Sequence, residues 1–403
     1  MGLSYSEFVV FLILLVTVQR SLSLTTEHLL KSKDPELTMN VTEIARMHGY
    51  VAEEHFVETA DGYILCLFRM YNKPPGSIVP RKVVLLQHGL LDSSHTWINN
   101  LRNESLGFIL ADAGFDVWLA NSRGSTYSKR HRSPTADYWK FTWDQMAKYD
   151  LPATIYYILN CTRVKKIGFV GHSQGTMTAF ARFGMDPELQ SHINVFIALA
   201  PVAYLKHVTS PIRLLAPVCK WITEAVDVFE HGEFMPSTKL IEFLAEHVCG
   251  SKRLSVVCSD VIFLIVGYNP SNLNQTRIPV YISHTPAGTS AQNMVHYCQA
   301  FHNNRFQMYD FGEKGNQQHY GRRTPPEYHL HNISIPVAAF FGGADTLSVR
   351  QDVEHLLSLI EKVLVKKVYL EDYNHLDFVW GLDSGYRVYP TVLELLLKYG
   401  SPQ

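Results

Sequence analysis

The stretch Ile167-Gly168-Phe169-Val170-Gly171-His172-Ser173-Gln174-Gly175-Thr176-Met177-Thr178-Ala179-Phe180-Ala181-Arg182-Phe183 decides how this chain folds. Ile167 to Val170 has the apolar, β-branched and aromatic content of a short buried strand. Thr176 to Phe183 follows with Met177, Phe180 and Ala181 at helical spacing. Between them lies Gly171-His172-Ser173-Gln174-Gly175, a G-x-S-x-G pentapeptide joining strand to helix. A turn this tight leaves almost no room for side chains two residues before and after the serine. The Ser173 hydroxyl is thereby expected above the sheet edge, at the start of a helix.

A serine hydroxyl is a poor nucleophile until an imidazole takes its proton, and the imidazole needs a carboxylate to fix its tautomer and stabilise its charged form. Where a strand–elbow–helix carries the serine, the acid and the histidine follow in that order, on loops after later strands. Ile335-Pro336-Val337-Ala338-Ala339-Phe340-Phe341 reads as a buried strand running into Gly342-Gly343-Ala344-Asp345. Lys367-Val368-Tyr369-Leu370 reads as another, and His375 falls on its following loop, before a final helix around Pro390 to Lys398. Of 19 histidines, His375 alone has that position. Asp372 and Asp377 are nearer to it in sequence, but close loop neighbours usually face solvent, so the expected triad is Ser173, Asp345 and His375. An oxyanion needs two preplaced N–H donors. One is expected from Gln174, directly after the nucleophile. The other belongs to the loop after the strand Val83-Val84-Leu85-Leu86, where Gly89 lets the chain approach; Leu90 is assigned, with Leu91 the alternative. His88 and His172 sit at strand ends and read as supports rather than bases. The fold expected is an α/β-hydrolase, a mostly parallel central sheet flanked by helices.

The chain resembles the animal acid lipase family, which contains the gastric and lysosomal acid lipases. The stretches that carry the resemblance are Asp61-Gly62-Tyr63-Ile64-Leu65, Gln87-His88-Gly89-Leu90-Leu91, Asn121-Ser122-Arg123-Gly124 and Met146-Ala147-Lys148-Tyr149-Asp150-Leu151-Pro152-Ala153. They continue with Gly171 to Thr176, Pro286-Ala287-Gly288-Thr289-Ser290, and Tyr373-Asn374-His375-Leu376-Asp377-Phe378-Val379-Trp380-Gly381. The resemblance implies hydrolysis of triacylglycerols or cholesteryl esters, the same triad and oxyanion donors, and a disulfide between Cys249 and Cys258. Two departures stand out. Thr346-Leu347-Ser348-Val349-Arg350 follows Asp345 where the family usually has Leu-Ala and then a proline, and Val266 takes the place of a frequent third cysteine. Cys66, Cys161, Cys219 and Cys298 are left as pairs or as buried thiols.

The stretch between Pro201 and Ile335 is too long for a structureless connection in a compact domain. It is expected to be a mainly helical cap above the site, giving residues 24–201 and 335–403 as the hydrolase core and 202–334 as the insertion. Apolar segments there, with Ile212, Leu214, Leu215, Trp221 and Ile222 and then Val261 to Val266, suit cap core, an acyl pocket or a lid. At the N-terminus, the apolar run Phe8 to Val18 is shorter than the ~20 residues of a bilayer span. Ser21-Leu22-Ser23 follows, so residues 1–23 read as a cleaved secretory signal, despite a Glu7 in place of the usual basic residue. Sequons at Asn40, Asn103, Asn160, Asn274 and Asn332 fit a luminal route and N-glycosylation.

Charged residues are 18% of the chain and the net charge is −1. That interspersed, near-neutral balance carries no nucleic-acid footprint. There is no metal-ligand spacing or phosphate loop, and His329-Leu330-His331 reads as surface, so neither metal nor cofactor is expected. The expected partner is a neutral lipid at a lipid–water interface, with no stable transmembrane anchor. Three other readings use the same features: a carboxylesterase on soluble short-chain esters, which differs in the cap; a non-catalytic lipid-binding protein on a hydrolase scaffold, which normally loses a triad residue; and a serine peptidase or thioesterase, which shares acyl-enzyme chemistry but which the resemblance argues against.

Overall fold

The computed structural model describes residues 34–72, 82–133, 137–218, 232–235, 249 and 255–400. Its centre is a nine-stranded sheet. Strands β1 (Val51–Glu58), β2 (Tyr63–Tyr71), β3 (Val83–Gln87), β4 (Asp116–Ala120), β5 (Arg130–His131), β6 (Ile167–His172), β7 (Ile193–Leu199), β10 (Val337–Gly342) and β11 (Leu364–Leu370) belong to it. The order is β1-β2-β4-β3-β6-β7-β10-β11, with β5 beside β2. β1, β2 and β4 pair antiparallel; from β4 to β11 every neighbour is parallel.

Parallel strands covered by helices on both faces should read as continuous apolar runs. β3, β6 and β10 are buried along their whole length. Their side chains alternate between two cores: Phe169, Ala339 and Phe341 pack on one face, Val170, Ala338 and Phe340 on the other. The edge strand β11 is half-buried or exposed instead. Parallel register brings the strand ends together, with Gln87 opposite Gly171 and His172 opposite Leu199. Loops after these carboxyl ends form one rim, the usual ligand edge of an open α/β sheet.

The expected elements are present with shifted ends. The strand expected at 83–86 includes Gln87, and the last helix is Tyr389–Tyr399. Helix Gln174–Phe183 begins directly after Ser173 rather than at Thr176. Within 202–334 lie the helices Ser255–Val266, Ile278–His284, Ala291–His302 and Gly312–Tyr320, and a two-stranded sheet of β8 (Glu233–Phe234) and β9 (Thr289–Ser290). The expected signal segment, Trp221, Ile222 and Cys219 lie outside the described residues. No described helix is long and apolar enough to cross a membrane.

Cys249 and Cys258 are bonded, with Cα atoms 5.9 Å apart. The open expectation for the other cysteines resolves unevenly: Cys66 is a buried thiol, Cys161 an exposed one, and Cys298 is disulfide-bonded. Among the sequons, Asn103, Asn160 and Asn332 are exposed. Asn40 and Asn274 are half-buried, and their side-chain oxygens cap local turns through the Glu43 and Thr276 amides.

Candidate active site

β6 delivers Ser173 to the rim, and the helix Gln174–Phe183 carries the chain away. The reversal puts Ser173 at φ 52°, ψ −120°, a region that residues with a Cβ rarely occupy. The Ser173 amide is tied to the Leu199 carbonyl at 3.1 Å, which fixes the elbow to β7. The flanking glycines answer to different neighbours. A Cβ on Gly171 would lie 2.9 Å from the Gly175 carbonyl carbon, across the turn itself. A Cβ on Gly175 would lie 2.4 Å from the Gln87 oxygen and 2.8 Å from the His88 oxygen, so that glycine is required by the end of β3.

The Ser173 hydroxyl donates to His375 Nε2 across 2.7 Å, and His375 Nδ1 donates to Asp345 Oδ2 across 2.9 Å. The ring and the carboxylate are both buried. The second carboxylate oxygen, Asp345 Oδ1, accepts from the Leu347 and Ser348 amides at 2.8 and 2.7 Å. Those bonds aim the acid at the ring. Ser348 is itself held through its hydroxyl by the Pro201 carbonyl, at 2.7 Å. The nearer acids have other partners. Asp372 pairs with Arg387 at 2.6 Å, and Asp377 accepts from the Asn374 amide at 2.7 Å. Asp377 is buried rather than solvent-facing, and burial pushes its carboxyl up to about 7.

The loop after β3 runs beside Ser173. A Cβ on Gly89 would sit 3.0 Å from Ser173 Cβ and 3.5 Å from Ser173 Oγ. Leu90 and the half-buried Leu91 follow, and Leu91 has a left-handed backbone at φ 59°. His88 and His172 both face backbone. The His88 ring donates from Nδ1 to the Gly89 oxygen at 2.8 Å and accepts at Nε2 from the Ser122 amide at 3.0 Å. His172 Nε2 donates to the His375 oxygen at 2.9 Å. Desolvation by burial lowers His88 to about 4 and His172 to about 3, so both rings are neutral supports.

Further residues support the site. Asn293 and Tyr297, one turn apart on the helix Ala291–His302, donate to the Gln174 side-chain oxygen at 2.9 and 3.0 Å. Nothing in the sequence marks that pair, because an Asn and a Tyr at helical spacing occur in any half-buried helix. Arg123 is fully buried between Asp61 and Asp150, with contacts of 2.7 and 2.6 Å, and its guanidinium lies 3.8 Å from the centre of the Tyr63 ring. Three of the stretches quoted above thus meet in one ion cluster beneath the rim. Among the described residues no group of three or more His, Cys, Asp or Glu side chains is placed to hold a metal.

The geometry suits acyl transfer: a hydroxyl aligned on a base, a base aligned on an acid, and a backbone loop alongside. The alpha/beta hydrolase fold model matches residues 82–382, and a partial alpha/beta-hydrolase lipase region matches residues 41–101. The lysosomal acid lipase/cholesteryl ester hydrolase of Homo sapiens is 44% identical over 376 residues, covering 92% of this chain and 94% of its own. The gastric triacylglycerol lipase of Homo sapiens is 44% identical, over 90% of this chain and 92% of its own. Lipase member M of Mus musculus is 41% identical, over 96% and 93%. Solved structures share the fold at low identity. An esterase from Thermogutta terrifontis superposes with TM-score 0.50 at 18% identity, covering 87% of this chain and all of its own. An epoxide hydrolase from Vigna radiata gives 0.51 at 16%, covering 86% and 98%.

Proposed function

The chain belongs to the α/β-hydrolase lipases, in the acid lipase family, and is an ester hydrolase; from that premise we propose that it cleaves fatty acyl esters of neutral lipids through a Ser173 acyl-enzyme. The carrying observation is the continuous path from Ser173 Oγ through His375 to Asp345, at 2.7 and 2.9 Å. Triacylglycerols and cholesteryl esters are the proposed substrates, since the names of the relatives contain both.

In the mechanism, His375 Nε2 takes the Ser173 proton as Oγ attacks the ester carbonyl. The amides of Gln174 and Leu90 hold the tetrahedral oxyanion; losing one such donor typically costs ~10²–10³ in rate. Asp345 stabilises the imidazolium and keeps its tautomer. His375 then protonates the departing alcohol, and water repeats the cycle to release the fatty acid. The chemistry requires no cofactor. We take residues 202–334 as a cap over this rim, residues 1–23 as the secretory signal, and a secreted or lysosomal destination as the consequence. Contact with a lipid surface is supported by two exposed apolar side chains flanking Val266, whose carbonyl accepts from the His375 amide: Leu264 at 45% and Tyr268 at 71%.

The test is a hydrolysis panel of emulsified triglyceride, emulsified cholesteryl oleate and dissolved short esters, with wild type, Ser173→Ala and His375→Ala. The expected result is emulsion activity in wild type alone, and an alkylphosphonate adduct on Ser173. Full activity in either folded variant overturns the triad. Activity confined to dissolved esters makes the protein a carboxylesterase instead.

A further inference from the structure

The last carbonyls of an α-helix have no partner within the helix and must be satisfied from outside. At the end of the helix Ser255–Val266 the donors come from the two loops that carry the partners of Ser173. The Thr346 hydroxyl, next to Asp345, donates to the Ile265 carbonyl at 2.8 Å. The His375 amide donates to the Val266 carbonyl at 3.2 Å. The Asn374 side chain donates to the Gly267 carbonyl at 3.0 Å. Three consecutive carbonyls of one turn thus bind the acid loop once and the histidine loop twice.

The turn also fits sterically against both loops. Gly267 has φ +108°, and a Cβ there would lie 1.9 Å from the Ala344 oxygen and 3.2 Å from Asn374 Cβ. Two residues on, the buried Asn269 donates to the Asp372 carbonyl and to Asp377 Oδ2, each at 2.8 Å. The other end of the helix is fastened by Cys249–Cys258. Thr346 is a junction in its own right. Its carbonyl accepts from the Thr209 and Ser210 amides at 3.0 and 3.1 Å, while its hydroxyl holds the helix.

We propose that the turn Ile265–Gly267 is a clamp that sets the distance between Asp345 and His375, and that Thr346 is the positioning residue latching it on the acid side. The proposal rests on the triad reading given above. The hydrogen bonds of Thr346 go to Ile265, Thr209 and Ser210 rather than to Ser173 or His375. It acts through Asp345, and a misplacement of ~1 Å in such a constellation can cost about 10²-fold in rate.

The experiment compares Thr346→Val, which keeps the shape and removes the donor, with Thr346→Ser, which keeps the donor, in the full chain. The readouts are kcat and KM on dissolved p-nitrophenyl butyrate, the rate of Ser173 labelling by an alkylphosphonate, and circular dichroism. The expected result is a fall of about tenfold in kcat for Thr346→Val at unchanged KM, a parallel fall in labelling rate, and recovery to within twofold in Thr346→Ser. Gly267→Ala is expected to show the same kcat-selective loss. A folded Thr346→Val with wild-type kcat overturns the clamp. So does failure of both Thr346→Val and Gly267→Ala to fold, because the turn would then hold the fold rather than the triad spacing. If His375→Ala retains wild-type activity, the triad reading fails first, and that outcome is separate from the clamp's.

Discussion

His172 holds the backbone of His375: its ring Nε2 lies 2.9 Å from the His375 carbonyl oxygen, so the residue before Ser173 fixes the residue whose ring meets the Ser173 hydroxyl. The ring is buried and neutral, and the carbonyl it satisfies is cut off from water. Replacing His172 by Phe keeps a ring and removes the donor. An orphaned buried carbonyl costs about 1–3 kcal/mol. We expect a lower urea midpoint together with reduced kcat on dissolved ester; a variant that unfolds at the wild-type midpoint contradicts this role.

Gly175→Ala tests how β3 supports the elbow. The added methyl would meet the Gln87 oxygen at 2.4 Å, and backbone cannot swing aside as a side chain can. The expected outcome is poor soluble yield, or a folded protein with at least ~10²-fold slower hydrolysis, because the serine is displaced from its base. A soluble variant with normal turnover would show that the close packing of β3 against the elbow is dispensable.

Arg123 carries the largest expected stability effect. Truncating one member of a buried ion cluster leaves charge uncompensated, at about 3–5 kcal/mol. Arg123→Leu strands Asp150, which is buried, and Asp61, which is partly so. Equilibrium unfolding in urea should show a large fall in midpoint, partly restored in Arg123→Leu/Asp150→Asn. Equal midpoints for wild type and Arg123→Leu would remove the cluster from the list of stabilising features.

The buried imidazoles set a pH dependence. His88 accepts a hydrogen bond at Nε2, so it cannot be protonated without losing the Ser122 contact, and burial lowers it to about 4. Its folded pKa lies below the ordinary 6.5. Its contribution is therefore complete above pH 6.5 and is lost as pH falls from there toward 4, at about 1.4 kcal/mol per pH unit. Asp92 and Asp144, raised to about 6 by burial, act in the opposite sense below pH 6. A difference measurement separates the two. Between pH 6.5 and 4, unfolding free energy should depend on pH less steeply in His88→Gln than in wild type. Identical slopes would show that His88 is protonated alike in the folded and unfolded chain.

What the sequence made legible was the part of the fold written in continuous apolar runs. β3, β6, β7 and β10 are covered on both faces, so their residues carry no polar alternation to confuse the reading, and each ends in a recognisable turn. The order of Ser173, Asp345 and His375 follows from that punctuation. β11 was only half legible: Leu364 to Lys366 precede the expected start, and as an edge strand it exposes Val365 and Lys366, which break the apolar run. Asp377 looked like a solvent-facing loop acid, yet two donors and a buried setting hold it inside. The roles of Asn293, Tyr297, Gly267 and Thr346 were hidden for a common reason. Each acts through contacts to residues distant in the chain, and a single residue has no periodicity to betray its partners.

The separation of 202 residues between Ser173 and His375 bears on how the protein is made. The hydroxyl, its elbow and one side of its support are synthesised in the first half of the chain. The acid and the base arrive only when β10 pairs with β7 and β11 closes the edge. On the proposed mechanism, a growing polypeptide is therefore chemically silent toward esters until its last strands have been laid down, and hydrolysis begins only with the finished sheet.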